Sequence, residues 1–268
     1  MDDSEKNERE LDMEERIKVT ALNYAVDDFK ILKEASLKVG QGQMVGIIGP
    51  NGSGKTTLLK HIYRALPAEK KTVYIDSKAI ETYDYRKTAK ILTVMKQENA
   101  SDFDFKVLDM VLLGRAPYHN YFEAFGKTDR EKALKALSYV GMENASDKSF
   151  GTLSGGEKQR VLMARSITQE TEIFILDEPT NHLDVHYQWA IMEMIRNMKK
   201  TVLGVFHELN LASQYCDYLY VLNHGEIVKA GTPEEVLTTQ TMREVFRVDA
   251  DIVVSKEKKP YIIYNGAI

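Results

Sequence analysis

Cysteine is almost missing from this chain. Cys216 is the one thiol in 268 residues, which excludes an internal disulfide framework and fits a reducing compartment. Long hydrophobic runs are missing too. No apolar stretch approaches the ~20 residues that a membrane-spanning helix needs, and the richest, such as Ile173–Leu176, are the size of a strand. There is no excess of basic charge: 36 Lys and Arg face 40 Asp and Glu, a formal net charge of −4. That balance argues against a protein that coats nucleic acid by bulk charge. No repeat of solenoid period and no low-complexity linker divides the chain. The opening residues are too polar for a secretory signal. With 43% hydrophobic residues there is ample material for a buried core. The expectation is a soluble, cytosolic chain.

The acidic excess has an address. Residues 1–16 hold eight acids and three bases, whereas the remaining 252 carry 33 bases against 32 acids. Such a segment buries little and reads as a solvated leader. Lys256–Lys259, between two β-like runs, reads as a surface turn.

From Ile17 onward, strand-like and helix-like patterns alternate. Ile17–Leu22 and Ala35–Val39 read as short strands of an antiparallel layer. Met44–Ile48 is a compact apolar run, and a helical pattern opens near Lys55 with Leu58, Leu59, Ile62 and Leu66 on one face and Pro67 as its stop. Thr128-Asp129-Arg130-Glu131 has capping-box form and precedes Ala133, Leu134, Leu137 and Val140, with Gly141 as a C-terminal stop. Ile173–Leu176 and Val202–Phe206 are unalternated apolar runs, as expected of strands buried on both faces. The pattern predicts an α/β core with a mostly parallel sheet. Residues 98–160 lack a comparable strand and read as an inserted α-helical subdomain.

Gly49-Pro50-Asn51-Gly52-Ser53-Gly54-Lys55-Thr56, followed by Thr57, fits the phosphate loop G-x-x-x-x-G-K-[ST], with a strand before it and a helix after it. The glycines let backbone N–H groups turn inward around a phosphate, and the helix start adds a positive dipole end. Lys55 supplies a point charge, and the Thr56 hydroxyl is a ligand for Mg²⁺. Asp177 and Glu178 end the Ile173–Leu176 run, the end that faces the ligand crevice in open α/β sheets. Asp177 suits Mg²⁺, and Glu178 suits the activation of an attacking water.

Leu153-Ser154-Gly155-Gly156-Glu157-Lys158-Gln159-Arg160 opens another helical pattern, so Ser154, Gly155 and Gly156 form a second anion-binding nest. One nucleotide does not need two nests in one monomer. With this segment the sequence resembles the ATP-binding cassette family, over about residues 17–250. The resemblance implies a P-loop NTPase (RecA-like) core with an N-terminal antiparallel β layer and an inserted α-helical subdomain of about residues 98–160. It implies ATP and Mg²⁺ as ligands. Gly49–Thr56 looks like the Walker A loop, Ile173–Asp177 the Walker B strand and Glu178 the catalytic glutamate. Leu153–Gln159 resembles the signature that closes on ATP bound by the other subunit. Gln97 resembles the Q-loop glutamine that senses Mg²⁺ and water, Asn181–Asp184 the D-loop, and His207 the switch histidine. Tyr24 stands where an aromatic stacks on adenine, or is an ordinary strand tyrosine.

One phosphate loop and one signature imply a half-molecule that works as a homodimer. The run Glu178–Asp184, the segment Gly114-Arg115-Ala116-Pro117, and a β-rich tail at 251–268 resemble importers of iron–siderophore complexes, haem or cobalamin. Glu208 replaces that subgroup's usual Asp, and Lys96 precedes Gln97 where proline is common. The resemblance implies an integral-membrane permease docked near Gln97 and 98–120. It also implies an extracytoplasmic substrate-binding protein reached indirectly, no nucleic-acid partner, and a peripheral place on the cytoplasmic face of the membrane. The alternative is a non-transport ATP-driven clamp for assembly or nucleic-acid work. His182 and His186 have metal-pair spacing without a third ligand nearby. His61, Cys216 and the eleven methionines read as packing residues.

Overall fold

The described residues open with an antiparallel pair, β1 (Glu15–Val26) and β2 (Phe29–Gly40), longer than the two short strands expected there. The computed structural model describes residues 14–96, 105–120, 122–181, 183–255 and 258–268. The acidic leader up to residue 13, Gln97, His182 and part of the 256–259 turn lie outside them. Asp27, at φ +52°, makes the tight turn between the two strands, a conformation that Asp tolerates better than most residues. The β1 ladder shifts register at Val19/Leu22, Leu22/Tyr24 and Tyr24/Ala25, so its side-chain alternation is interrupted. β4 (Val73–Ile75) adds to the other side of β1, and β5 (Lys78–Ala79) extends the layer.

The second sheet holds β3 (Met44–Ile48), β6 (Leu92–Lys96), β7 (Ile173–Asp177), β8 (Thr201–Val205) and β9 (Tyr218–Asn223), all parallel, with β10 (Glu226–Gly231) antiparallel at one edge. The order is β10-β9-β3-β8-β7-β6. Every residue of β3, β7 and β8 is buried, which accounts for their unbroken apolar runs. Alternate residues serve opposite faces. Val45, Ile47, Ile173, Ile175, Leu203 and Val205 pack toward the antiparallel layer and α1 (Lys55–Ile62). Met44, Ile48, Phe174, Leu176 and Val202 pack toward the helices on the other side.

The α1 helix ends at Ile62, not at Pro67. Tyr63 N–H closes on Leu59 O, and Arg64 at φ +65° turns the chain away. The next helix, α2 (Tyr85–Ile91), is capped by Asp84, which accepts from Lys87 N–H at 2.6 Å. Between β6 and β7 the described residues form α3 (Val107–Leu112), α4 (Lys127–Tyr139) and α5 (Gly155–Thr168), with 3₁₀ turns and one isolated bridge. The α4 helix begins earlier than the Thr128–Glu131 box suggested. The carboxylate of Asp129 accepts from Gly126 N–H at 3.0 Å and is held by Arg115 at 3.0 Å and His119 at 2.8 Å. Asp129 is thus the third residue of the helix, buried and committed to partners ten and fourteen positions upstream. At the far end Gly141 takes φ +67° as anticipated.

Past β7 come α6 (Val185–Asn197), α7 (Leu209–Tyr215) and the short α8 (Pro233–Val236). The chain finishes in an antiparallel hairpin, β11 (Val248–Val254) and β12 (Pro260–Ala267). Among the described residues no helix is long and apolar enough to cross a membrane.

Candidate functional site

At the C-terminal end of β3 the chain enters the glycine-rich loop under tight steric control. A Cβ on Gly49 would sit 2.0 Å from the Leu222 carbonyl oxygen, so no larger residue fits. The loop is tied to the β9–β10 turn by Gly225 N–H donating to Ser53 O at 3.1 Å. Lys55, at the first turn of α1, is 5% exposed, and its ammonium donates to Gly49 O and Pro50 O, both at 2.8 Å. Burial pushes its pKa down, and the nearby Glu178 carboxylate opposes that shift. The Ser53 hydroxyl is buried without a protein partner, and a Cβ on Gly52 would meet nothing. Buried donors around an open backbone cradle are what a phosphate group requires.

The neighbouring Thr56 hydroxyl donates to Asp177 Oδ1 at 3.3 Å, joining α1 to the end of β7. Asp177 is 5% exposed. Burial and then the Glu178 charge push its carboxyl above the usual range, against the Thr56 hydrogen bond. Among the described residues no cluster of three His, Cys, Asp or Glu forms. One carboxylate beside one hydroxyl suits a cation that completes its shell with water and phosphate oxygens, the habit of Mg²⁺.

Glu178 takes φ +55°, a left-handed backbone that is costly outside glycine and concentrated at functional sites. Its Oε1 lies 2.6 Å from His207 Nε2, and its Oε2 accepts from Asn181 Nδ2 at 3.0 Å. Two residues from later in the chain thereby aim one carboxylate. Glu178 and His207 line a single cleft together with Asn51, Gly52, Gly54, Lys55, Thr56, Thr57, Ile31 and Phe29.

Phe29 was not anticipated. It is 73% exposed at the cleft, whereas Tyr24 turns its ring edge-on to His61, with centroids 4.7 Å apart, and packs on the core. Tyr24 is not among the lining residues. The register shifts in β1 flank Tyr24, and simple alternation cannot say which aromatic reaches the cleft.

The second nest is built as a capping box. Ser154 Oγ accepts from Glu157 N–H at 3.4 Å, and Glu157 Oε2 accepts from Ser154 N–H at 2.9 Å and Oγ at 2.7 Å. Ser154 and Gly155 are exposed. Gly156 is buried under Tyr187, whose ring would lie 2.9 Å from a Cβ there. Gln159 Nε2 donates to Pro179 O at 2.7 Å, tying α5 to the residue that follows Glu178. None of Ser154, Gly155 or Gly156 lines the cleft of its own chain. Asp184 is exposed at the start of α6, where its carbonyl accepts from Tyr187 and Gln188 N–H groups. Gln97 lies outside the described residues. Of the two histidines with i, i+4 spacing, His186 sets its ring against Tyr187, with centroids 5.3 Å apart.

A family model described as ABC transporter matches residues 32–181. The uncharacterized ABC transporter ATP-binding protein YvrA of Bacillus subtilis (strain 168) is 35% identical over 255 residues. That match covers 92% of this chain and 57% of YvrA, so the chain spans little more than half that relative's length. The iron(3+)-hydroxamate import ATP-binding protein FhuC of the same organism is 33% identical over 244 residues, 89% of this chain and 91% of FhuC. Among solved structures, a dimeric bacterial ABC transporter cassette superposes with a TM-score of 0.70 at 27% identity, covering 81% of this chain and 98% of that one.

Proposed function

The chain belongs to the ABC transporter family, and on that premise we propose that it is the ATP-binding, ATP-hydrolysing subunit of an importer. Its work is to power uptake of an iron complex through a membrane permease. The observation that carries the reading is the shared cleft: Lys55, Thr56, Glu178 and His207 converge in it, and Asp177 bonds to Thr56 behind it.

The loop N–H groups of 49–56 and the Lys55 ammonium bind the phosphates. Lys55 exchanges two backbone carbonyls for phosphate oxygens, a stronger, charge-assisted pairing. Thr56 and Asp177 would hold Mg²⁺, which when bound neutralises charge on the β- and γ-oxygens. Glu178 orients the attacking water and takes its proton. His207 and Asn181 keep the two oxygens of Glu178 aimed, so that little reorganisation is left for the reaction itself. Phe29, exposed at the cleft, is the better placed aromatic for a base to stack on.

Ser154, Gly155 and Gly156 are outside their own cleft and are presented to solvent or supported by Tyr187. They act on the γ-phosphate held by a second copy, in a head-to-tail homodimer closed by ATP and reopened by hydrolysis. Asp184 belongs to the same reading at the dimer seam, and Gln97 keeps the role that the family resemblance implies, sensing Mg²⁺ and the attacking water. The chain thus works peripherally, on the cytoplasmic face of the membrane, while an external binding protein delivers cargo to the permease. The relative named for iron(3+)-hydroxamate import supports the cargo class. The test is uptake of labelled ferric hydroxamate by proteoliposomes containing the permease and this subunit. ATP-dependent uptake that Glu178→Gln abolishes is the expected result. ATP turnover without uptake of that or any other iron chelate would reject the iron-complex importer assignment.

A further inference from the structure

The C-terminal hairpin takes no part in the chemistry described so far, yet it is fastened to the helix that follows His207. A two-stranded ribbon is marginal in water by itself. Here Ile262 stands opposite Ile252 across the hairpin, and both of its backbone groups turn outward to one side chain. Asn210 Oδ1 accepts from Ile262 N–H at 2.8 Å, and Asn210 Nδ2 donates to Ile262 O at 3.1 Å. The amide therefore satisfies the free edge of β12 as a third strand would. One turn further along, the Ser213 hydroxyl donates to Pro260 O, and Lys259 Nζ donates to Cys216 O at 3.3 Å. Ala250 and Ile262 are 1% exposed and join the helical-side core. Tyr264 of β12 is half-exposed, and burial and then the Glu208 carboxylate, just before α7, push its phenol up.

The helix so fastened has seven residues, Leu209–Tyr215, too few to hold its own register. Its first turn is fixed from outside, by buried Leu209 and Leu211 on one side and by the hairpin through Asn210 on the other. Three residues before Asn210 stands His207, whose ring meets Glu178 at 2.6 Å. We propose that the β11–β12 hairpin braces the His207 turn, with Asn210 as the positioning residue that transmits the brace. Asn210 does not line the cleft, and its amide is engaged by Ile262. It acts by holding the backbone from which His207 projects.

The inference rests on the ATPase reading, and the experiment separates the two. In the full chain, Asn210→Asp keeps size and one acceptor but sets a carboxylate oxygen against the Ile262 carbonyl. Steady-state hydrolysis, ATP binding and thermal melting are measured for wild type, Asn210→Asp and Ser213→Ala. Ser213→Ala loosens the same hairpin one turn farther from His207. The expected result is an about tenfold lower kcat for Asn210→Asp, with KM and ATP affinity within about twofold of wild type. Ser213→Ala should retain wild-type kcat even if its Tm falls as far. Equal kcat losses in both variants, scaling with Tm, would reduce the effect to stability and overturn the brace. So would unchanged kcat in Asn210→Asp. Absence of hydrolysis in the wild type would instead remove the ATPase reading, and the brace with it.

Discussion

Glu178 Oε1 lies 2.6 Å from His207 Nε2, joining the residue after β7 to a residue two positions before α7 across 29 positions of sequence. A carboxylate held by two partners, the second being Asn181, is aimed before substrate arrives. Removing the ring should therefore affect turnover more than binding. His207→Ala is predicted to lower the ATP hydrolysis rate by about 100-fold while nucleotide affinity stays within a few-fold. Single-turnover hydrolysis alongside fluorescent-nucleotide titration reads both quantities.

Asp177 makes a different prediction, about pH and stability. Its folded carboxyl is pushed above the ordinary value of 3.8 by burial and by Glu178. The folded protein thus binds this proton more tightly than the unfolded chain does. Stability from this group is present at low pH and is lost as pH rises through that raised range. Asp177→Asn removes the cost and keeps an oxygen for Thr56. Without nucleotide or Mg²⁺, the variant should melt on the order of 2 °C higher than wild type at neutral pH. Its advantage should shrink toward pH 4, and it should not hydrolyse ATP. Melting curves across pH 4–8 check the sign.

The two aromatics near the loop separate by what they lose. Phe29→Ala should weaken ATP binding about tenfold, the scale of one base–aromatic stack, with little change in Tm because the ring is 73% exposed. Tyr24→Ala should instead lower Tm by roughly 4 °C through loss of the His61 contact and leave affinity nearly unchanged. Nucleotide titration and melting of the two variants would give the reverse pattern if Tyr24 carried the base.

Much of the centre of this molecule is legible in its sequence because the chemistry is local. A strand, a glycine turn and a helix start are consecutive from Met44 to Ile62, so motif and geometry coincide. The same holds for Ile173–Asp177, where full burial demands an unbroken apolar run. What sequence misplaces is decided at a distance. Asp129, and not Thr128, organises the start of α4 because Arg115 and His119 hold it. Phe29, the first residue of β2, reaches the cleft at the end of a β1–β2 ladder whose register shifts break simple alternation. The Gln159–Pro179 and Asn210–Ile262 bonds join residues 20 and 52 positions apart, and no local pattern announces either.

The most direct test of the composite, two-chain site is the oligomeric state of Glu178→Gln in MgATP, measured by light scattering on a sizing column. The variant keeps every phosphate-binding group but cannot take the proton from water. It should run as a dimer with ATP, return to monomer when ATP is withdrawn, and show no turnover. A protein that stays monomeric in saturating MgATP, or that hydrolyses ATP at the wild-type rate, would contradict the account.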